Sequence, residues 1–213
     1  MPLLPFTFAD YYWPVLESAL VETLVASPWL YLALFALVVG DAFIVVLPSE
    51  TVVVALGAMA ASAGEPSLAL VIPVAAVGAI VGDSLCFAIG RAVGHDRWPW
   101  QRRGRLGAAT ARARVTVLSR PAVLIFTARY IPFARIAVNL SAGAAGLPYR
   151  RFLPLSAAAG VGWALYNTAI GAFFGSVLGD NPLLAIGVSV AVAIALGLLI
   201  DLVARRLSQR RAR

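Results

Sequence analysis

Four ionisable side chains sit where apolar sequence should exclude them. Arg129 and Arg135 interrupt the apolar run 121–147, and Asp41 and Glu50 interrupt the run 29–63. A charge surrounded by hydrocarbon is costly enough that each needs a partner or a water-filled cavity. Two neighbouring guanidinium forks suit a phosphate, because each offers bidentate, charge-assisted hydrogen bonds, and a nearby helix start adds N–H donors. If the chain is helical up to Pro132 and breaks there, Arg129 and Arg135 both turn toward one cavity. Carboxylates change their proton affinity when they exchange water for a low-dielectric pocket or an arginine neighbour. Asp41 and Glu50 are therefore candidates for proton coupling or gating, and Arg129 and Arg135 for phosphate binding. A purely structural reading competes with this one, in which the two arginines form static ion pairs with Asp41 and Glu50, and both can hold at once.

Weaker candidates surround these four. Asp83 follows Gly82 on an apolar segment and either faces the same cavity or bonds a neighbouring hydroxyl or amide. Asn139 and Tyr130 are candidate cavity-lining groups, as are Tyr166 and Asn167, although polar side chains packed between membrane helices are the commoner case. His95 and Cys86 are the sole histidine and cysteine. They provide no metal-ligand cluster, no H-E-x-x-H, no Cys–His pair and no phosphate-cradling G-x-x-x-x-G-K-[ST] loop. We therefore expect no metal, no cofactor and no enzymatic activity; a histidine-based lipid phosphatase would need a second histidine.

The elements that must position these residues are membrane elements. The 213-residue chain is 61% hydrophobic and 13% charged, with a mean hydropathy of +0.88, outside the range of soluble domains. The net charge of +7 could suggest a nucleic-acid partner. The arginines instead fall between apolar runs, where the positive-inside rule accounts for them without a polyanion. Eight arginines lie between positions 91 and 120, and the last nine residues add five more. Both regions are expected on the cytoplasmic side, Glu65 and Asp180 on the other.

Spanning helices are expected at 66–93, 152–178 and 182–203, each long enough for about 30 Å of hydrocarbon. The runs 29–63 and 121–148 differ, because each is broken near its middle by proline beside ionisable residues and then turns into small residues. Re-entrant hairpins fit them, with kinked spanning helices as the alternative. Residues 1–27 read as an interfacial amphipathic segment, 94–120 as a basic cytoplasmic loop and 205–213 as a basic tail, around one transmembrane domain at 28–204. Gly90-Arg91-Ala92-Val93-Gly94 overlays Gly175-Ser176-Val177-Leu178-Gly179 at a shift of 85, which also carries Glu50 onto Arg135. The fold class expected is thus an all-α integral membrane protein with spanning helices and two opposed re-entrant hairpins in an inverted repeat, the plan in which interrupted segments mark a substrate site.

The stretch Phe126-Thr127-Ala128-Arg129-Tyr130-Ile131-Pro132-Phe133-Ala134-Arg135, then Ala142-Gly143 and Pro148-Tyr149-Arg150-Arg151-Phe152, resembles the DedA family, related to the SNARE-associated and VTT-domain membrane proteins. Leu47-Pro48-Ser49-Glu50 is similar to that family's P-x-P-S-E element, and Gly82-Asp83, Gly90-Arg91 and Gly94 to its G-D-x-x-x-Y-x-I-G-R-x-x-G helix. Phe87, Leu147 and Val46 depart from the family's usual Tyr, Met and first Pro. The resemblance implies opposed re-entrant hairpins and movement of a lipid phosphate, undecaprenyl phosphate or a phospholipid, across the bacterial cytoplasmic membrane, with proton dependence. It places the acidic functional residues at Asp41 and Glu50 and the paired arginines at Arg129 and Arg135. A proton-coupled exporter of small cations or drugs is the competing function and a non-transporting scaffold a third; a homo-oligomer is compatible with all three.

Overall fold

The computed structural model describes residues 27–44, 47–94, 114–129 and 131–178, and single helical positions at 187, 188, 191, 192 and 195. The segment 1–26, most of the basic loop, most of the run 182–203 and the tail lie outside the described residues, and with them the interfacial segment and the third spanning helix expected there. Among the described residues the chain is helical and contains no strand.

Six helices have both ends among the described residues, in order α1 Pro28–Asp41, α2 Ser49–Ala63, α3 Leu68–Val93, α4 Pro121–Ala128, α5 Pro132–Ala144 and α6 Tyr149–Val177. Local chemistry sets several of these boundaries. The Ser27 hydroxyl accepts from the Trp29 N–H at 3.3 Å with Pro28 next in line, an N-cap followed by proline at the first helical position. Pro48 precedes α2 and Pro132 opens α5. At a helix start, the N–H that proline lacks would have had no helical partner, so proline starts a helix there instead of kinking one. Ile131, directly before Pro132, is extended with φ −123°, the conformation a following proline imposes. Helix α4 ends at Ala128 and α5 begins at Pro132. The expected helix up to Pro132 is thus interrupted before the proline, and Ile131 is held out of the helical region by it.

Helix α3, 26 residues long, is the one helix among the described residues apolar and long enough to cross a membrane. The second span expected, 152–178, coincides with the 29-residue helix α6. That helix is not apolar enough to count as a span, because Ser156, Tyr166, Asn167 and Thr168 dilute it; Ser156 faces the polar interior described below, and Asn167 and Thr168 bond carbonyls of their own helix.

Helices α3 and α6 run antiparallel and carry two apolar cores. Ala75, Ala76 and Ala79 of α3 pack with Trp163 and Ala164 of α6, joined by Leu34 and Val38 of α1 and Val53 and Leu56 of α2. Further along, Phe87 packs with Phe152 and Ala159, joined by Ile125 of α4 and Ala142 of α5. The turn of α3 holding Asp83 lies between the two cores.

The second helix of each broken run packs most extensively on the long helix of the other half, α2 on α6 and α5 on α3. Glycines permit both contacts. A Cβ at Gly143 would run into the Phe87 carbonyl oxygen and lie 2.7 Å from the Arg91 nitrogen, and one at Gly171 would strike the Val54 carbonyl oxygen and lie 2.9 Å from the Ala58 nitrogen. Neither obstacle is a flexible side chain, so the helices themselves would have to separate. Gly143→Val and Gly171→Val are each expected to destabilise the fold by about 1–3 kcal/mol, the usual range for overpacking. Gly162→Ala, where a Cβ meets nothing within 4 Å, is the control. Thermal unfolding in detergent reads the difference, and equal melting of the three variants would contradict the close packing.

Candidate functional site

Between the two apolar cores lies a polar cluster to which α1, α2, α3, α5 and α6 contribute, together with Arg129, the residue that caps α4. Asp83 on α3 is its most enclosed carboxylate, 2% exposed. Its Oδ2 accepts from Arg129 Nη1 at 2.6 Å and from the Ser156 hydroxyl at 2.9 Å, and its Oδ1 accepts from the Asn139 amide at 2.8 Å. Arg129 is 4% exposed, and its guanidinium carbon lies 5.4 Å from the centroid of the Trp163 ring. Cation–π attraction strengthens when water is excluded in this way. Asp83 thus takes the second of its two expected roles, bonding a neighbouring hydroxyl and amide. It also holds Arg129, whose expected partners were Asp41 and Glu50.

The second ion pair is looser. Arg135, in the first turns of α5, donates from Nη2 to Asp41 Oδ2 at 2.9 Å and to the Asp41 main-chain carbonyl at 2.7 Å. Both side chains of the pair are 11% exposed, against 3% for Arg129 and Asp83. Asp41 is the last residue of α1, so its carbonyl is one of those a helix leaves without an intrahelical partner, and a cation there also complements the helix dipole. The Ser49 hydroxyl donates to the same Asp41 Oδ2 at 2.8 Å, and so ties the end of α1 to the start of α2 across the Pro48 break. Arg135 Nε is buried and has no hydrogen-bond partner among the described residues.

Glu50 stands in the first turn of α2, where a negative charge is favoured by the helix dipole. It forms no ion pair among the described residues and is exposed at the edge of the cluster. The Trp163 Nε1–H donates to its Oε1 in a long hydrogen bond of 3.4 Å. Trp163 therefore touches Arg129 with its ring and Glu50 with its nitrogen.

Asp41, Glu50, Arg129 and Arg135 line one cavity of about 100 Å³, together with Leu47, Pro48, Ser49 and Thr51. The four candidates from opposite halves of the chain thus meet at the two proline breaks. The cavity takes several waters or a group of headgroup size, but not a lipid chain. Asp83 and Asn139, expected among the cavity-lining residues, stand behind its wall instead, where Asn139 donates to Asp83 and Asp83 pairs with Arg129. Tyr130 lies outside the described residues. Among the described residues no group of three metal-ligating side chains converges. When fully ionised, two guanidinium charges face three carboxylates (Asp41, Glu50 and Asp83), so the cluster carries one excess negative charge.

Sequence reasoning missed Ser49, Ser156 and Trp163. Ser49 sits inside the quoted Pro48-Ser49-Glu50 element and is readable there as a polar group next to a break. Ser156 and Trp163 carry no such signal, because one serine and one tryptophan on a long apolar helix read as ordinary packing.

The VTT domain model matches residues 47–173, which hold every residue of the cluster except Asp41. An uncharacterized membrane protein of Mycobacterium tuberculosis is 32% identical over 153 residues, 68% of this chain and 69% of its own length. The inner membrane protein YohD of Escherichia coli is 30% identical, covering 67% of this chain and 71% of its own length. The protein DedA of the same organism is 26% identical, covering 76% and 78%. No solved structure matches the chain.

Proposed function

The chain belongs to the VTT-domain family of membrane proteins, and from that premise we propose that it moves a lipid phosphate across the bacterial cytoplasmic membrane, with Arg135 and Arg129 as the phosphate-binding pair. One observation carries the reading: the paired arginines and the carboxylates of the two proline breaks share a single cavity of headgroup size. Undecaprenyl phosphate is the candidate cargo. In this reading the two broken runs are opposed re-entrant hairpins, the basic loop and tail face the cytoplasm, and the halves form an inverted repeat. The repeat is supported by the exchanged packing of α2 on α6 and α5 on α3, because the 85-residue shift that maps α2 onto α5 and α3 onto α6 interchanges the two contacts.

The two arginines divide the work. Arg129 is fixed by Asp83 and Trp163 and supplies a positioned positive wall. Arg135 is held by the more exposed Asp41, and its buried Nε has a donor to spare. An incoming phosphate displaces Asp41 from Arg135 and takes the fork. A fully ionised cluster with one excess negative charge resists that anion, so protonation of Glu50 or Asp41 favours its entry, which would couple transport to protons. No metal or cofactor is required.

The excess of carboxylates also supports the second reading, a proton-coupled exporter of small cations with Glu50 and Asp41 as ligands. Reconstitution distinguishes the two. Purified protein in liposomes is expected to move undecaprenyl phosphate faster than an ordinary phospholipid, and to respond to a pH gradient. Export of cations with no lipid movement would replace the first reading by the second. Glu50→Gln is expected to retain lipid flux while losing its dependence on the pH gradient, measured in the same liposomes; an unaltered gradient response would remove Glu50 from the coupling.

A further inference from the structure

A second concavity lies on a different face of α3 from the ion pairs, between that helix and the start of α6, and encloses about 760 Å³. Its chemistry changes in a fixed order along α3. At the end lie Arg91, in the last turn of α3, and Arg150, in the first turn of α6, both exposed. Two turns further in, the Ser84 and Tyr149 hydroxyls share a hydrogen bond of 3.1 Å. Beyond them the walls are Ile80 and Val81, while Leu85 and Ala88 line the way in from the arginines. The site is built, because Tyr149 is held by Phe87 and Phe152, with ring centroids 5.6 Å and 6.2 Å away. Arg91 is oriented by donating from Nη1 to the Leu147 carbonyl at 3.3 Å.

We infer that this groove holds a resident anionic glycerophospholipid, distinct from any transported cargo. The order of cation pair, hydroxyl pair and apolar trough matches the order of phosphate, ester carbonyls and acyl chain in such a lipid. From residue 91 to residue 84 the helix advances about 10 Å at ~1.5 Å per residue, a span that a long arginine side chain shortens by reaching inward. The two guanidinium groups supply the phosphate contacts, and their double positive charge selects an anionic head over a zwitterionic one. The hydroxyl pair selects a glycerol ester over an isoprenoid phosphate, which has no carbonyl to accept from it. The groove shares no lining residue with the cluster at the proline breaks, and the inference does not rest on the transport reading.

Native mass spectrometry of the full chain in detergent, titrated with defined lipids, tests it. One phosphatidylglycerol is expected to bind at least about tenfold more tightly than phosphatidylcholine, about 1.4 kcal/mol, and the ether-linked analogue of phosphatidylglycerol more weakly than the ester. The exposed Arg150 side chain makes no hydrogen bond among the described residues, so Arg150→Gln should fold normally and lose most of that preference. Ala88→Leu, which narrows the groove from an exposed position, should weaken phosphatidylglycerol binding while keeping the preference for charge. Equal binding of the two phospholipids, or unchanged binding by Arg150→Gln, overturns the inference. Displacement of phosphatidylglycerol by equimolar undecaprenyl phosphate would overturn it too, by assigning the groove to an isoprenoid chain.

Discussion

Replacing Arg135 by alanine is expected to abolish movement of the lipid phosphate while leaving the protein inserted and folded. The arginine donates two hydrogen bonds to Asp41, one to its carboxylate and one to its main-chain carbonyl, and lines the cavity with an unused buried N–H. Hydrogen bonds to charged groups are worth about 1.5–3 kcal/mol each, so losing a two-pronged grip on phosphate slows flux by at least about a hundredfold. The cost to folding is smaller. Without Arg135, Asp41 keeps the Ser49 hydroxyl and remains at the edge of a cavity that admits water. Arg135→Lys should restore little, because an ammonium is a point charge without the planar fork. Flux in liposomes, with circular dichroism and gel filtration of the same preparations, reads both outcomes. Normal flux by Arg135→Ala in a folded protein would remove the phosphate-binding role from this cluster.

The parts of this arrangement visible in sequence are those that break a rule of membrane sequences. Arginine and carboxylates inside apolar runs, each beside a proline, stand out against hydrocarbon composition, so Asp41, Glu50, Arg129, Arg135 and both breaks could be found from residue types alone, whereas Pro73 and Pro154, with no such neighbours, sit inside α3 and α6. The choice of partners was not legible. Asp83 pairs with Arg129 because α3 and α6 cross the cluster side by side with α5 packed on α3, and no spacing along the chain encodes that approach. The proline marked the break, but the end of α4 at Ala128, three residues before the extended Ile131, carried no signal of its own. Trp163 escaped notice because its role depends on two neighbours distant in sequence, one above its ring and one at its nitrogen. The shift of 85 was readable only as scattered Gly and Ala matches. The close contacts at Gly143 and Gly171, each between a helix of one half and the long helix of the other, left no mark in it.

Asp83→Ala tests the other half of the cluster, and its expected effect is on stability before transport. The carboxylate satisfies three donors at once, from Arg129, Ser156 and Asn139, and is almost wholly enclosed. Removing it leaves the Arg129 guanidinium buried without its counter-ion, and breaking a buried ion pair from one side costs about 3–5 kcal/mol. Ser156→Ala removes one neutral donor and should cost only about 1 kcal/mol. The cost of Asp83→Ala is mostly the penalty of a stranded charge, so removing the charge as well should recover part of it. Asp83→Ala combined with Arg129→Met is therefore expected to unfold at a higher denaturant concentration than Asp83→Ala alone, although it carries one more substitution, and to transport nothing. Chemical unfolding of the four proteins in one detergent makes the comparison. If Asp83→Ala instead keeps full stability and loses only transport, Asp83 acts on the cargo directly and the buried ion pair is part of the pathway. If the double variant is less stable than Asp83→Ala, the Arg129 guanidinium contributes to folding through the Trp163 ring more than it loses by burial.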